Sequence, residues 1–341
     1  MSPATPAKRK TGEIRASAPA RIDLAGGTLD LWPLYALHHP ACTVHLAIER
    51  RATVRLRPRR DFKVLLGSGD TKQTVRAARL NLLRAGGPLP LHAQLVRYFA
   101  PAGGIELQTD SQVPAGSGLG GSSALALAMA AALSAGRRPR VSPKRLVATV
   151  LNLEAIVLGV PTGCQDYLAA LEGGLGVVDL NLDEVRRHRL PGAARLAERL
   201  VLCYTGQSRA SARNNWDIFR RRIEGDRRTT AALAGIREAA EAMRQALAAG
   251  DLDAGAEAMA LEWQHRKRLA PEVSSHGIDE LIAAGRSSGA LAAKLCGAGG
   301  GGALVFWCSR SGRAELEALL ARRRIVLLPF EVARLGLMVS E

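Results

Sequence analysis

Val113-Pro-Ala-Gly-Ser-Gly-Leu-Gly-Gly-Ser-Ser-Ala124 gathers Gly116, Gly118, Gly120 and Gly121 into one short stretch and runs directly into an Ala- and Leu-rich segment. Each glycine costs backbone entropy, so such a cluster marks a chain that turns sharply or lets a ligand approach closely. Ala and Leu are strong helix formers, which predicts a helix over 122–135. A glycine loop that opens a helix presents free N–H groups and about half a unit of positive charge, a setting suited to phosphate. Gly116, Gly118 and Gly121 also fit G-x-G-x-x-G. A dinucleotide fold, however, places that turn in its first strand–helix unit, with an acid about 20 residues further on. Here more than a hundred residues precede the loop, and Gly136 to Leu151 contains no Asp or Glu. The other common phosphate loop ends in Gly-Lys-Ser/Thr, whereas this one ends in Gly-Ser-Ser. Neither template describes it.

The chain of 341 residues exceeds the usual size of one core, so two domains are expected. A hydrophobic fraction of 47% with 23% charged residues is that of a globular enzyme. No apolar run reaches membrane-spanning length, and residues 1–12 read as a disordered basic tail. The cysteines at 42, 164, 203, 296 and 308 lack C-x-x-C spacing, and the histidines form no metal-ligand pattern; reduced thiols in a cytoplasmic protein are expected. The net charge of +16 is the outlier. Its arginines are spread along the chain and aromatics make up only 4%, which argues against a nucleic-acid platform and for a solvated basic surface.

Alternation predicts strands over 15–23 and 43–56, and further strands over 104–109, 172–181 and 199–205. Ser142-Pro143 reads as a helix start, and that helix stops at Gly159. From about 208 the pattern turns to Ala/Glu/Arg helices over 210–250, 251–269 and 277–289, then a second glycine-dense stretch, Lys294-Leu-Cys-Gly297-Ala-Gly-Gly-Gly-Gly302. Linkers are rarely flanked by runs as apolar as Ala-Leu-Val-Phe-Trp307, so a buried loop of close approach is expected there.

Glu154 falls on the apolar stripe of the helix after Pro143, with Val147, Val150, Leu151 and Leu158. A carboxylate on such a face needs a partner, either an arginine or a metal. Magnesium takes one or two protein oxygens alongside substrate phosphates. Asp166, twelve residues on, follows Gly163 at a turn-to-helix junction, where a helix cap is the plain alternative. Cys164 reads as a packing residue. Near the start, Ala18-Pro-Ala-Arg21-Ile-Asp-Leu-Ala-Gly-Gly-Thr-Leu-Asp30 sets an arginine and two acids around a glycine turn.

Three pieces in this order, the segment around Arg21, Pro114-x-Gly-x-Gly-Leu-Gly-x-Ser-Ser and the late Gly297 to Gly302, resemble the three motifs of the GHMP kinases, over roughly residues 14–310. Gly26, Gly27, Thr28 and Asp30, Gln165-Asp166, Thr205 to Arg209 and Lys294 to Gly302 look most like the sugar kinase branch, nearest the heptose-phosphate kinase and fucokinase-like group. The galactokinase segment Gly-Glu-His-Thr-Asp-Tyr is not present. The resemblance implies an α+β two-domain fold, with an N-terminal domain like ribosomal protein S5 domain 2 over 13–195 and a ferredoxin-like C-terminal domain over 196–341. It implies ATP and Mg2+. The triphosphate would lie on Pro114, Gly116, Ser117, Gly118, Leu119, Gly120, Gly121, Ser122 and Ser123, and the metal on Ser122 and Glu154. Asp166 would act as base and Arg21 as charge stabiliser. The acceptor would meet Gly26, Gly27, Thr28, Asp30, Gly163, Thr205, Arg209, Gly297, Gly299 and Gly300. Gly121 departs from the serine of many relatives, which removes one hydroxyl near the phosphates.

The activity implied is transfer of the γ-phosphoryl group to a hydroxyl of a sugar or sugar phosphate, by a monomer or homodimer without membrane or nucleic-acid partners. The alternatives are a non-catalytic regulator binding ATP and sugar, or an enzyme of the same fold acting on an isoprenoid or amino acid.

Overall fold

The computed structural model describes residues 12–135, 141–206 and 211–341. Before the glycine loop come β1 (Ile14–Ala25), the short helix α1 (Leu34–Leu37), β2 (Ala41–Pro58), β3 (Val64–Ser68), β4 (Gln73–Ala77), α2 (Pro90–Phe99) and β5 (Ile105–Ser111). After it come α3 (Gly121–Ser134), α4 (Pro143–Leu158), α5 (Gln165–Glu172), β6 (Leu175–Leu180) and β7 (Val185–Arg189). The remainder is α6 (Ala193–Glu198), β8 (Leu200–Tyr204), α7 (Ser211–Ile223), α8 (Arg227–Ala249), α9 (Leu252–Lys267), α10 (His276–Arg286), β9 (Ala290–Leu295), β10 (Ala303–Cys308), α11 (Arg313–Arg322), β11 (Val326–Leu327) and β12 (Met338–Ser340).

Among the described residues the strands form two sheets, one of eight strands along β12-β1-β2-β5-β3-β4 with β6 and β7 branching from β2, and one of four, β11-β8-β10-β9. The long β2 makes the branch: Ala41 to Leu46 pairs with β6, and Ala52 to Pro58 with β5. Its pairing with β1 shifts register after Pro19, where proline supplies no ladder N–H.

A helix apolar on every side must be surrounded. In α3 every residue from Ser123 to Ser134 is buried, and its many alanines let it lie close against β1 and β2. In α4 the Ser142 hydroxyl accepts from the Arg145 N–H at 3.3 Å, Pro143 opens the first turn and Gly159 closes it at φ 70°. The pattern over 210–250 resolves into two helices rather than one. Gly225 turns the chain at φ 82°, and Asp226 caps α8 by accepting from the Thr229 N–H at 2.6 Å.

The end of the chain does not stay with the C-terminal lobe, although 196–341 reads as one unit in the sequence. β12 pairs with β1, and Val332 bridges Ile48. The buried Arg51 fastens this return. Its guanidinium donates to the carbonyls of Ser17, Leu335 and Gly336 at 3.2, 3.2 and 2.5 Å. Arg51→Ala strips all three carbonyls of a charged donor and is expected to cost about 2–4 kcal/mol of stability, read as a lower urea midpoint. An unchanged midpoint would mean that the returning segment is held by its strand pairing alone.

Candidate active site

The two glycine stretches meet as backbone on backbone. A Cβ on Gly118 (φ 75°) would run into the Cys296 carbonyl, and one on Gly302 (φ 96°) would sit 2.6 Å from the Ser117 carbonyl. That Ser117 carbonyl accepts from the Ala303 N–H at 2.7 Å. Gly120, at φ 71°, forms the N-cap of α3 without a side-chain cap, so the first N–H groups of the helix face the space above the loop.

Glu154 is 4% exposed and enters that space from α4. It receives the Ser122 hydroxyl at 2.5 Å, the Ser123 hydroxyl at 3.1 Å and the Tyr167 hydroxyl. Among the described residues no lysine or arginine forms an ion pair with it. Burial pushes its carboxyl above the ordinary value, against the pull of the three hydroxyls. A buried carboxylate ringed by hydroxyl oxygens and lacking a cation is an oxygen donor set of the kind magnesium takes. The hydroxyl absent at Gly121 has a steric reason: a Cβ there would lie 2.6 Å from Val113 Cγ2.

Asp166 lies in the first turn of α5, but the cap position belongs to Cys164. The Asp166 carboxylate instead pairs with Arg21, at 2.7 Å from Nε and 2.6 Å from the terminal nitrogen. The other arm of Arg21 donates to the Gly118 carbonyl at 2.5 Å, and its backbone N–H to the Leu119 carbonyl at 2.9 Å. Burial opposes the charge on Arg21, yet Asp166 and Asp23 hold it firmly protonated. Burial drives the Cys164 thiol well above the usual range, which fits a packing residue.

Asp30 is 8% exposed and accepts the Gln165 N–H at 2.9 Å. Gly163 passes so close that a Cβ would collide with this carboxyl. Burial, reinforced by the charges of Asp166 and Asp23, raises Asp30 to about 6. Asp23 behaves oppositely. Burial alone would raise it, but Lys294 at 3.0 Å and Arg266 at 4.0 Å hold it below the carboxylate range.

These groups open onto one cleft of ≈ 470 Å³. Arg21, Gly27, Thr28, Asp30, Pro114, Gly116, Ser117, Gly118, Gly120, Gly121, Ser122, Ser123, Glu154, Gly163, Asp166 and Gly297 all line it. Other sequence-derived positions stand behind it. Leu119 is in the core, and Gly26 packs on the Cys42 carbonyl. Gly299 and Gly300 back onto Val273, and Thr205 bonds to the Gly302 carbonyl at 2.9 Å. Arg209 lies outside the described residues. The sequence reading gave no role to Asp70 or Asn215 in the wall, nor to Tyr167 behind Glu154. A tyrosine directly after Asp166 was the available signal for Tyr167; Asp70 and Asn215 carry none.

A two-sheet α+β molecule whose cleft is lined by glycines and carboxylates fits a phosphotransferase. Family models make the class definite: GHMP kinases N terminal domain matches residues 82–174, and GHMP kinases C terminal matches residues 243–322. The chain belongs to the GHMP kinases. It is 26% identical over 333 residues to D-glycero-alpha-D-manno-heptose 7-phosphate kinase of Campylobacter jejuni, covering 95% of this chain and 97% of that protein. It is 30% identical over 226 residues to a bifunctional fucokinase/GDP-fucose pyrophosphorylase of Arabidopsis thaliana, covering 64% of this chain and 21% of that protein. The crystal structure of a D-glycero-D-manno-heptose 1-phosphate kinase from Bacteroides thetaiotaomicron superposes with a TM-score of 0.75 at 20% identity, over 96% of this chain and 99% of that one, and so shares its fold. Among the described residues no helix is long and apolar enough to cross a membrane.

Asp30 gives the site a pH signature. Its carboxyl ionises near 3.8 when free and near 6 in the fold. Between those values the folded state holds the proton more tightly, so stability falls as pH rises through about 4 to 6 and then levels off. Asp30→Asn removes this term and is expected to gain on the order of 2–3 kcal/mol over wild type across that window. Urea midpoints of both proteins at a series of pH values check it; a constant difference overturns it.

Proposed function

We propose that the chain is an ATP-dependent sugar kinase that transfers the γ-phosphoryl group to a hydroxyl of a sugar or sugar phosphate, of the heptose-phosphate or fucose type. The observation that carries the reading is Arg21: one guanidinium joins Asp166 to the backbone of the glycine loop, tying a base to the phosphate cradle. The likeness to a heptose 7-phosphate kinase along nearly the whole chain supports the choice of acceptor.

In this reading the N–H groups from Gly116 to Ser123 wrap the triphosphate at the mouth of α3. Ser122 and Glu154 hold magnesium, which supplies the positive charge that neutralises phosphate oxygens. Asp166 accepts the proton of the attacking hydroxyl, and Arg21 orients that carboxylate and faces the charge on the transferring group. Asp30 takes hydrogen bonds from the sugar. Phosphoryl transfer asks little covalent chemistry of the protein, so positioning and charge neutralisation supply the rate.

The described cleft wall carries five carboxylates, at Asp23, Asp30, Asp70, Glu154 and Asp166, and only one cation, Arg21. A phosphate already on the acceptor therefore needs a cation from elsewhere, and we assign Arg209 to it. A phosphorylated sugar is then expected to show a much lower KM than its free form, and Arg209→Ala to erase that difference.

Asp166→Asn is expected to lower turnover by roughly 10²–10⁴-fold, the usual worth of a general base, while the protein stays folded. The measurement is ADP release with magnesium and ATP against fucose, arabinose, galactose, uronic acids, and heptose and hexose phosphates. Near-wild-type turnover in the folded variant removes Asp166 from the mechanism. No turnover by wild type on any sugar supports the regulator reading.

A further inference from the structure

Four ionised side chains meet at the seam of the two lobes: Asp23 on β1, Glu262 and Arg266 on α9, and Lys294 on β9, each at most 1% exposed. Lys294 Nζ bridges Asp23 at 3.0 Å and Glu262 at 3.1 Å, and Arg266 grips Glu262 one helical turn back at 2.5 and 2.9 Å. The charges balance. A buried network of this kind is often no more stabilising than apolar packing of equal volume, so its meaning lies in what it holds.

What it holds is the acceptor side of the cleft. Arg266 donates to the Gly27 carbonyl at 2.8 Å and to the Thr28 hydroxyl at 3.3 Å. Thr28 sits at φ 76°, an outlying conformation for a β-branched residue that persists only where its surroundings enforce it. Its hydroxyl, receiving from Arg266, donates onward to Asn215 Oδ1 at 3.4 Å. Thr28, Asp30 and Asn215 all line the cleft. With Oδ1 engaged by Thr28, the Asn215 amide keeps its two N–H groups for another oxygen.

We infer that Asn215 on α7 reads a hydroxyl or ring oxygen of the acceptor together with Thr28, and that Arg266, locked by Glu262 and Lys294, is the positioning residue that sets this pair. The inference rests on the sugar kinase reading and deepens it. Asn215 donates where Asp30 accepts, so the wall distinguishes acceptor oxygens by hydrogen-bond direction. ATP, on the glycine loop, is untouched by the pair.

Three variants test this. Asn215→Ala removes the donor from a half-buried position. Thr28→Gly removes the hydroxyl at a backbone angle glycine prefers. Arg266→Lys keeps the charge but loses the forked grip. Each is expected to raise the acceptor KM roughly tenfold, as for a lost hydrogen bond in a closed site, with the KM for ATP within twofold of wild type. Asn215→Ala combined with Arg266→Lys is expected to be no worse than the poorer single variant, because both act through one contact. If wild type turns over a sugar and Asn215→Ala and Thr28→Gly leave its KM unchanged, the inference falls and the kinase reading stands. If wild type turns over none, the kinase reading falls. The sugar-induced shift in melting temperature then decides the inference: a shift lost in Asn215→Ala upholds it, and an equal shift, or none in wild type, overturns it.

Discussion

Everything at this site depends on two glycine loops being pressed together without side chains between them. The Gly118 backbone sits under the Cys296 carbonyl, and the Gly302 backbone under the Ser117 carbonyl. No L-residue with a Cβ fits either contact at those positive φ angles. The Ala303 N–H bond to Ser117 then fixes the height of one loop on the other. Because one loop opens α3 and the other joins β9 to β10, this contact sets the N-terminus of the buried helix against the C-terminal sheet. The cleft is the space left over.

Within that space, one chemical group is used in four environments. Glu154 is surrounded by hydroxyls, Asp166 by a guanidinium, Asp30 by backbone and burial, and Asp23 by two buried cations. Environments that push titratable groups apart are what divide roles among like residues. Asp23 is neutralised by its ion pairs and belongs to the scaffold. Asp166 is 26% exposed on its side chain and tethered by Arg21, so it faces the cleft and stays in place. Glu154 has hydroxyls but no cation, the arrangement that leaves room for one.

The local features were legible because they follow from backbone chemistry. Proline after serine started α4 and Gly159 ended it; the apolar alanine run gave a fully buried α3. The break inside 210–250 was legible too, in Gly225-Asp226, but the strength of the surrounding helix pattern masked it. What the sequence hid is long-range. Nothing near Arg51 announces that it holds Leu335 and Gly336, and nothing near Met338 announces a partner in β1. Glu154 shows the same divide within the site. Its position on an apolar stripe was readable, and the choice between an arginine and hydroxyl partners was not. The Ser122, Ser123 and Tyr167 hydroxyls come from two other helices. Asn215 and Arg266 meet residues 27 and 28 only through tertiary contacts.

The charge distribution closes the argument. The chain carries a net +16, yet among the described residues its cleft wall carries five acids against one arginine, with Asp23 already neutralised by Lys294 and Arg266. A basic surface draws anions towards the molecule at long range, while a carboxylate-lined wall repels a bare anion at short range. The N-terminus of α3 offsets only part of that repulsion. A nucleotide that arrives with its phosphate charge already partly neutralised by a divalent cation satisfies both fields, whereas the free tetra-anion satisfies only the first. In the proposed reading, the acidity of the wall suits a nucleotide that brings a divalent cation with it.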